Sequence, residues 1–468
     1  MNVEEEMRTL HKLLSWDNLT EKRLEQIEAT DFSEVPGLVR SWKNDRLSLP
    51  DVHLLLALAS ARWIDHRGPF VGHGTFNGGP ILRASSILSP PFKMLALLQM
   101  IAYVFDLLRH PNYGPYLMLE SFEVSEGLSQ TFSAFIPDLE SGEQALLSQH
   151  RAAKLARQSL EQSRWLMLWA ALRQYPENEH RLLIVQRAFE LLDDSNGWAY
   201  REAFYRAAIQ YLGSRPNVSI ANKILAHWPG EDCPEYTGSI DIPTTDSLCE
   251  NLTWCEFGKE PEILIESSLQ GASAETVKEA IALASSSMLH SSGYDAHAVT
   301  GIHCLLDLLG NKDCPSNIRH LGWAIGLSSS RTRRQKQDRR RWIRHDWKTE
   351  ESRELVLEDV VDSVMHDPTG QDAALTTKQF LLSGGDPVPV ARALMEIALR
   401  TSNPFDAIHN VKMLWGHLVL TQKSQWPQRS WIHLTASACV VAQSVNSSGL
   451  RGDIQQQWEQ TLSEALGW

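Results

Sequence analysis

The chain has 468 residues, of which 43% are hydrophobic and 22% are charged, and its net charge is −13. This composition excludes a disordered chain, and the acidic balance argues against general nucleic-acid binding. The length allows about three domains or one continuous helical array. The 17 histidines and 16 tryptophans exceed ordinary usage, and histidine is the commonest metal ligand among side chains.

The cysteines and the N-terminal residues indicate the cellular compartment in which we expect the protein. The six cysteines form no C-x-x-C pair, which argues against a cysteine-ligated zinc site and against a thioredoxin-like redox motif. Residues 1–7 are acidic, unlike a signal peptide, and no apolar run reaches the roughly 18 residues of a membrane span. We therefore expect a cytoplasmic protein with reduced thiols and no membrane association.

Hydrophobic periodicity predicts an all-α fold, a multi-helix array or bundle. We expect this fold to contain a buried metal site. Residues 1–45 are predicted to form an N-terminal helical arm. Residues 46–228 are predicted to form a helical region, with apolar helices near 50–63 and 92–108 and amphipathic helices between 145 and 212. The proline-rich stretch 229–262 is predicted to be an irregular connector or lid, and helices return in 263–468.

The first candidate site residues lie in a glycine-rich stretch. Residues 64–80 contain five glycines and two prolines, together with His66 and His73. Glycine lets the backbone approach another element closely, so the pattern favours a site that includes His73 and, with less support, His66. The alternative is an ordinary turn between helices. His110 follows the next apolar helix, where it either joins this site or complements the helix dipole.

A second candidate stretch runs from Tyr294 to His303. Thr300 lies near the face of His297 on a helix, whereas His303 lies about 120° away around the axis. The two histidines are therefore not expected to bind one ion. We assign His297 as a metal ligand and His303 to the wall of the same pocket.

A third stretch runs from Phe405 to His417. His409 and Lys412 are three residues apart and share one face of a helix among apolar neighbours. Asn410 and His417 are candidates for the surrounding pocket. We predict that this helix and the His297 helix contribute ligands to one metal ion.

Residues 331–344 form the single strongly basic run, with eight Lys or Arg in fourteen residues. A solvated, flexible surface is one interpretation of this run. The others are a gate for an anionic substrate, a docking patch for an acidic partner, or an RNA contact.

Four motifs occur in order over about 340 residues: Val71-Gly-His73, Leu107-Leu-Arg-His110, His297-Ala-Val-Thr300 and His409-Asn-Val-Lys412. Together they resemble the questin oxidase-like family and related helical proteins associated with Rieske iron–sulfur domains. Two positions depart from that pattern, since His303 stands where the family has asparagine and Pro111 stands where an acidic residue is expected.

The resemblance implies a non-haem Fe(II) centre and an oxygen-dependent cleavage of a ring or carbon–carbon bond in an aromatic, quinone-like substrate. The implied metal ligands are His73, His110, His297, His409 and Lys412. A protonated lysine has no lone pair for a metal, so Lys412 would have to be neutral through burial, point away from the ion or be converted to a carbamate. The resemblance favours the carbamate. We expect His303 to move a proton as a catalytic residue, with His66, Thr300, Asn410 and His417 around the site. The chain has no Rieske cysteine–histidine pattern, so any redox partner is expected to be a separate protein.

Two other functional classes remain open at this point. A non-catalytic helical scaffold would use the histidines for packing and the basic run to bind a partner. A metal-dependent hydrolase of the HD type would need paired His and Asp ligands, and the chain offers three such pairs: Asp65-His66, His345-Asp346 and His366-Asp367.

Overall fold

The computed structural model describes residues 12–68, 72–114, 116–227, 238–256, 258–292, 296–329 and 355–448. The predicted all-α multi-helix array is confirmed. Across these ranges the only strand-like pairing is an isolated antiparallel bridge between Leu13 and Leu119. The basic run 331–344 and the first residues of the predicted N-terminal arm lie outside the described residues.

The described part of the chain consists mainly of helices, with 3-10 turns at Phe32–Glu34 and Trp198–Tyr200. In chain order they are α1 (Asn18–Ala29), α2 (Val35–Asn44), α3 (Leu49–Trp63), α4 (His73–Phe76), α5 (Gly78–Ala84), α6 (Pro90–Arg109), α7 (Leu128–Ser141), α8 (Ala145–Gln158), α9 (Leu160–Gln174), α10 (His180–Asp194), α11 (Arg201–Gly213), α12 (Ser219–His227), α13 (Ile242–Trp254), α14 (Glu260–Leu269), α15 (Ala274–Ser292), α16 (His297–Leu309), α17 (Ser316–Ile325), α18 (Leu357–His366), α19 (Gln371–Leu382), α20 (Pro387–Ala398), α21 (Pro404–Lys423) and α22 (Pro427–Ser448).

The N-terminal helix is packed onto the rest of the fold. Asp17 caps α1 by accepting hydrogen bonds from the backbone N–H groups of Leu19 and Thr20. The helix packs against α3, where buried Arg62 pairs with Glu21 at 2.6 Å and with Glu28 at 2.9 Å. The helical arm therefore contributes to the same body as the helices that follow it.

The second half of the glycine-rich stretch is helical. Residues 73–76 form α4 and residues 78–80 begin α5, and both helices fit tightly against neighbouring helices because glycine leaves room for them. A Cβ atom on Gly74 would lie 2.7 Å from Cβ of Ser60 on α3, and one on Gly79 would lie 3.3 Å from the Arg187 carbonyl oxygen on α10. The predicted close backbone approach is present, and it holds His73 between α3 and α10.

The stretch predicted to be an irregular connector or lid contains a regular helix. Helix α13 occupies Ile242–Trp254 and packs against α15, while residues 228–237 lie outside the described residues. Pro243 stands in the first turn of α13, where a missing N–H breaks no helical hydrogen bond. Here a proline indicates the start of a helix rather than an irregular segment.

Helix α6 is the most apolar long helix among the described elements. By length and composition it could cross a membrane, although the sequence showed no uninterrupted apolar run of that length. Of its most apolar window, 78% is buried inside the fold. Packing against other helices accounts for this apolar character, and a single such helix is weak evidence for a membrane span.

Three helices form the frame of the candidate site. Helix α16 packs against both α10 and α21, and α21 also contacts α5, α6, α20 and α22. The main hydrophobic core is one continuous cluster that runs from Leu14 to Val445. The site therefore lies at the centre of the array, where helices from distant parts of the sequence meet.

Replacement of Gly74 by alanine tests the close contact between α3 and α4. We expect Gly74→Ala to lower the free energy of unfolding by about 1–3 kcal/mol, because Ser60 Cβ cannot rotate away from the added methyl group. Gly37→Ala in α2 is the matched control, since nothing lies within 4 Å of its added Cβ, and it should stabilise the protein slightly. Chemical denaturation of both variants measures the difference, and equal stability would contradict the close packing.

Candidate metal centre

Four histidine rings from four helices meet at the centre of the array. Nε2 of His73 lies 3.1 Å from Nε2 of His180. The His297 ring centroid lies 4.8 Å from that of His180 and 4.5 Å from that of His409. His73, His180 and His297 can each offer one ligand nitrogen such that all three atoms lie within 4.8 Å of one another. The four rings form what we call the histidine cluster.

The spacing of the two closest nitrogens suits a shared ion. Imidazole nitrogens bind transition metals at about 2.0–2.1 Å, so two ligand nitrogens on one ion lie roughly 2.8–3.4 Å apart in octahedral or tetrahedral geometry. The observed 3.1 Å between His73 and His180 falls in this range. The His409 ring centroid lies 4.9 Å from that of His73 and 4.5 Å from that of His297, so this ring is a neighbour of the same point.

His409 is oriented as a ligand by its own helix. Its Nδ1 donates a hydrogen bond to the Phe405 carbonyl oxygen at 2.6 Å, which leaves the lone pair on Nε2. That Nε2 atom is buried and has no hydrogen-bond partner among the described residues. The pKa of His409 is lowered well below its usual range, by burial first and then by Lys412 and the neighbouring histidines. The ring is therefore a neutral imidazole, the form that binds metals.

Aromatic side chains surround the cluster. The His73 ring centroid lies 4.9 Å from that of Phe76, 6.1 Å from that of Tyr103 and 5.9 Å from that of Phe405. Burial raises the pKa of Tyr103 well above its usual value, so the phenol stays protonated. Its hydroxyl has no hydrogen-bond partner among the residues that the structure describes. The cluster therefore lies in a dry, aromatic environment with one phenol nearby.

One cation and one anion flank the histidines. Buried Lys412 donates a hydrogen bond from Nζ to Asn77 Oδ1 at 3.2 Å, and its Nζ lies 5.4 Å from the centroid of the Phe76 ring. On the other side, the fully buried carboxylate of Glu179 lies 3.4 Å from Nδ1 of His180. Because Lys412 lowers the pKa of His409, the amine acts electrostatically on the cluster.

The structure brings together three of the predicted histidine ligands, His73, His297 and His409, with Lys412 beside them. The fourth ring is His180, which lies in the region 145–212 that was predicted to form amphipathic helices and was not proposed as a ligand. The available signal was a histidine at the first position of one of these helices, two residues after an asparagine able to accept from its ring.

The predicted ligand His110 lies outside the cluster. It ends helix α6, where its ring stacks on Tyr113 at 4.3 Å and its Nδ1 accepts a hydrogen bond from the Asn112 backbone. Tyr103 of the same helix lies beside His73, and the seven residues from Tyr103 to His110 correspond to roughly 10 Å of helical rise. His110 therefore takes the alternative role weighed in the sequence, at the helix end.

His303 lies in a different environment from the cluster. Its Nδ1 accepts a hydrogen bond from Arg187 at 2.9 Å, and its Nε2 lies 3.3 Å from Asp307 Oδ2. The ring borders a cavity of about 350 Å³ that is also lined by Asp307 and Lys423. Burial lowers the pKa of His303 to about 4. We predicted that His303 would move a proton at the metal, and its position near this separate cavity does not support that role.

The remaining predicted pocket residues are dispersed. Thr300 donates to the His297 carbonyl oxygen at 3.0 Å and so touches a ligand residue. His66 contacts the Ser60 carbonyl oxygen through Nε2, and Asn410 donates to Ser444. His417 lies between Ser286 and Ser437 in a separate polar group of the core. Thr300 therefore contacts a residue of the cluster, whereas the hydrogen bonds of His66, Asn410 and His417 given above go to other parts of the core.

The His–Asp pairs do not supply the cluster either. His66 is buried elsewhere, and His366 bonds to the Asp362 carbonyl oxygen on an exposed part of α18. Asp367 accepts hydrogen bonds from the backbone N–H groups of Thr369 and Ala373 and so shapes a turn. The His345-Asp346 pair lies outside the described residues.

Comparison with known proteins adds no relative. No protein-family model, curated protein or solved structure matches this chain. The resemblance to the questin oxidase-like family therefore rests on the four sequence motifs alone.

The replacement of His110 by His180 in the ligand set can be tested by metal content. We expect His180→Ala to lose most of the bound metal, because it removes a nitrogen that faces His73 at 3.1 Å. His110→Ala should keep the metal content of the wild type, since its ring stacks on Tyr113. Elemental analysis of the purified proteins provides the measurement. Metal loss in His110→Ala with retention in His180→Ala would reverse the assignment.

Proposed function

We propose that this protein is a metal-dependent oxidoreductase whose ion is held by His73, His180, His297 and His409. The observation that carries the proposal is the Nε2 atom of His409, a buried lone pair that points to no partner among the described residues while Nδ1 is held by a carbonyl oxygen. An unsatisfied buried acceptor costs about 1–3 kcal/mol, and a metal ion would remove that cost.

The resemblance to the questin oxidase-like family selects the metal and the reaction class. Neutral imidazoles suit zinc, copper, iron or nickel, so the ligand type alone leaves the metal open. We propose Fe(II) and an oxygen-dependent oxidation of an aromatic or quinone-like small molecule, including ring or carbon–carbon bond cleavage. When bound, iron would supply the activation of oxygen.

The surrounding side chains of this chain suit such a substrate. The rings of Phe76, Tyr103 and Phe405 exclude water from the cluster and offer faces for a planar aromatic molecule. We propose that the Tyr103 phenol, rather than His303, holds the proton that is exchanged with the substrate. This assignment is supported by its protonated state and by its hydroxyl, which is buried without a hydrogen-bond partner among the described residues.

The charges near the histidine cluster affect whether Lys412 is favoured as an ammonium or as a carbamate. A buried ammonium next to a dication is unfavourable, because the two positive charges repel each other. Conversion of Lys412 to a carbamate would change its charge from +1 to −1, and the carbamate that the resemblance implies is therefore also favoured by electrostatics. The hydrogen bond to Asn77 Oδ1 is compatible with both forms, because each retains an N–H group.

A non-catalytic scaffold is the alternative from another class. It would need the histidine cluster to be stable without metal, with the charges of Glu179 and Lys412 cancelling each other. It leaves the buried His409 Nε2 atom unsatisfied by the residues described here, so the metal-bound form is the better account of the geometry.

Metal content and oxygen consumption together test the proposed function. We expect purified wild-type protein to contain near-stoichiometric iron and to consume oxygen when candidate hydroquinones are added. His409→Ala should lose both properties. Tyr103→Phe should keep the iron and lose roughly 10²–10⁴-fold in turnover, the usual contribution of a positioned proton donor.

The control for these variants is His53→Ala, which removes another fully buried histidine, on α3 and outside the cluster. It should keep its iron. Metal-free wild-type protein that cannot be loaded with Fe(II) and has normal stability would contradict the proposal and favour the scaffold. Stoichiometric zinc without oxygen consumption would favour a hydrolytic metal centre.

The carbamate has its own spectroscopic test. After incubation with ¹³C-bicarbonate, we expect a carbamate carbon resonance in the wild type that is missing in Lys412→Met, and we expect that variant to lose iron. Lys378→Met is the matched control, because Lys378 is equally buried and lies over Trp431 on a different face of the array. Unchanged iron content in Lys412→Met would remove this lysine from the ligand set.

A further inference from the structure

We infer that Asn178 is a positioning residue that fixes His180 in the tautomer with its lone pair on Nε2. The inference rests on the proposed function, since it concerns how the same site is prepared for a metal ion. It uses a residue that the sequence analysis did not single out, at the end of the connection that leads into α10.

The hydrogen bonds identify the donor and the acceptor. Oδ1 of Asn178 lies 3.0 Å from the backbone nitrogen of His180 and 2.5 Å from Nδ1 of the same residue. A backbone N–H can only donate, so the Asn178 atom that faces it is the amide oxygen. That oxygen can only accept, and the His180 ring must therefore donate from Nδ1. A neutral ring that carries its proton on Nδ1 has its lone pair on Nε2.

The tautomer of His180 determines which ring donates the hydrogen bond between His180 and His73. Nε2 of His180 faces Nε2 of His73 at 3.1 Å, and two lone pairs at this distance repel each other. When no ion is bound, His73 must therefore donate from Nε2 to His180. For an ion to bind, only His73 would have to move its proton from Nε2 to Nδ1, because Asn178 already keeps the proton of His180 on Nδ1. The Glu179 carboxylate lies 3.4 Å from the same Nδ1, so without Asn178 only this longer contact would favour a proton on Nδ1, and the His180 ring could more readily place it on Nε2.

Asn178 also accepts a hydrogen bond from the backbone N–H of the first residue of α10, so a variant could act through helix stability alone. Two replacements separate these roles. Serine caps helix N-termini about as well as asparagine, yet its shorter side chain does not reach the ring. Aspartate keeps both contacts and offers an anionic acceptor, which is the usual partner of a metal-binding histidine.

The experiment is an anaerobic titration of the metal-free full-length protein with Fe(II), with thermal unfolding of the same metal-free samples alongside. We expect Asn178→Ala and Asn178→Ser to raise the Kd for Fe(II) by roughly 10–100-fold, the usual effect of losing such a partner. Asn178→Ser should unfold at the wild-type temperature, and Asn178→Asp should bind Fe(II) within a few-fold of the wild type.

The outcomes separate the two proposals. If the wild type binds Fe(II) and the alanine and serine variants bind it equally well, the inference about Asn178 is overturned while the metal centre stands. If affinity falls only in variants whose unfolding temperature also falls, Asn178 acts as a helix cap and the inference is again overturned. If the wild type itself binds no Fe(II), both the metal centre and the positioning role are overturned.

Discussion

The central constraint on this fold is the burial of four imidazole rings at one point. A buried ring nitrogen is costly unless it has a partner, so each ring needs a defined orientation. The fold supplies partners for Nδ1 of two rings, from the Phe405 carbonyl oxygen and from the Asn178 side chain. The Nε2 atoms of these two rings then face the interior of the cluster. One ion could bind there to the His409 Nε2 atom, which has no hydrogen-bond partner among the described residues.

Three helices set this geometry by running side by side in the same direction. His180 lies near His297, and seven residues later on α10 Arg187 lies 2.9 Å from His303 on α16. His409 likewise lies near His297, and Gly416 of α21 lies so close to His303 that an added Cβ would be 3.0 Å from its Nδ1. Helices α10 and α16 thus each carry one residue of the histidine cluster and, roughly 10 Å further along, one residue of a second polar layer. Helix α21 carries His409 in the cluster and passes close to the second layer at Gly416.

The two layers differ in their relation to solvent and charge. The second layer borders a cavity, and its charges compensate one another, with buried Arg187 paired to Glu190 at 2.6 Å and to Asp307 at 3.0 Å. The histidine cluster is surrounded by aromatic rings, with Lys412 and Glu179 among its neighbours. Because the cluster is buried, the electrostatic effect of a charge is larger there than it would be in the cavity.

The sequence was a reliable guide where a property is local. Apolar periodicity predicted α6, which extends two residues before and one residue beyond the expected 92–108, and it predicted α10 from its first residue. The sequence was a less reliable guide at proline and glycine, because each can mark either an irregular segment or part of a helix. Pro243 begins α13 inside a stretch predicted to be irregular, and the glycines after His73 allow helices to approach closely rather than forming a loop.

What the sequence determined by itself was the all-α class, the pairing of His409 with Lys412 on one face of a helix, and the candidacy of His73 and His297. These depend on spacing within a single element, which the 3.6-residue period of the helix fixes. The tertiary structure alone decided that His180 joins them, that His110 remains at a helix end and that His303 borders another cavity. Those outcomes depend on which helices pack together and at what axial offset, a property of long-range contacts that no local pattern encodes.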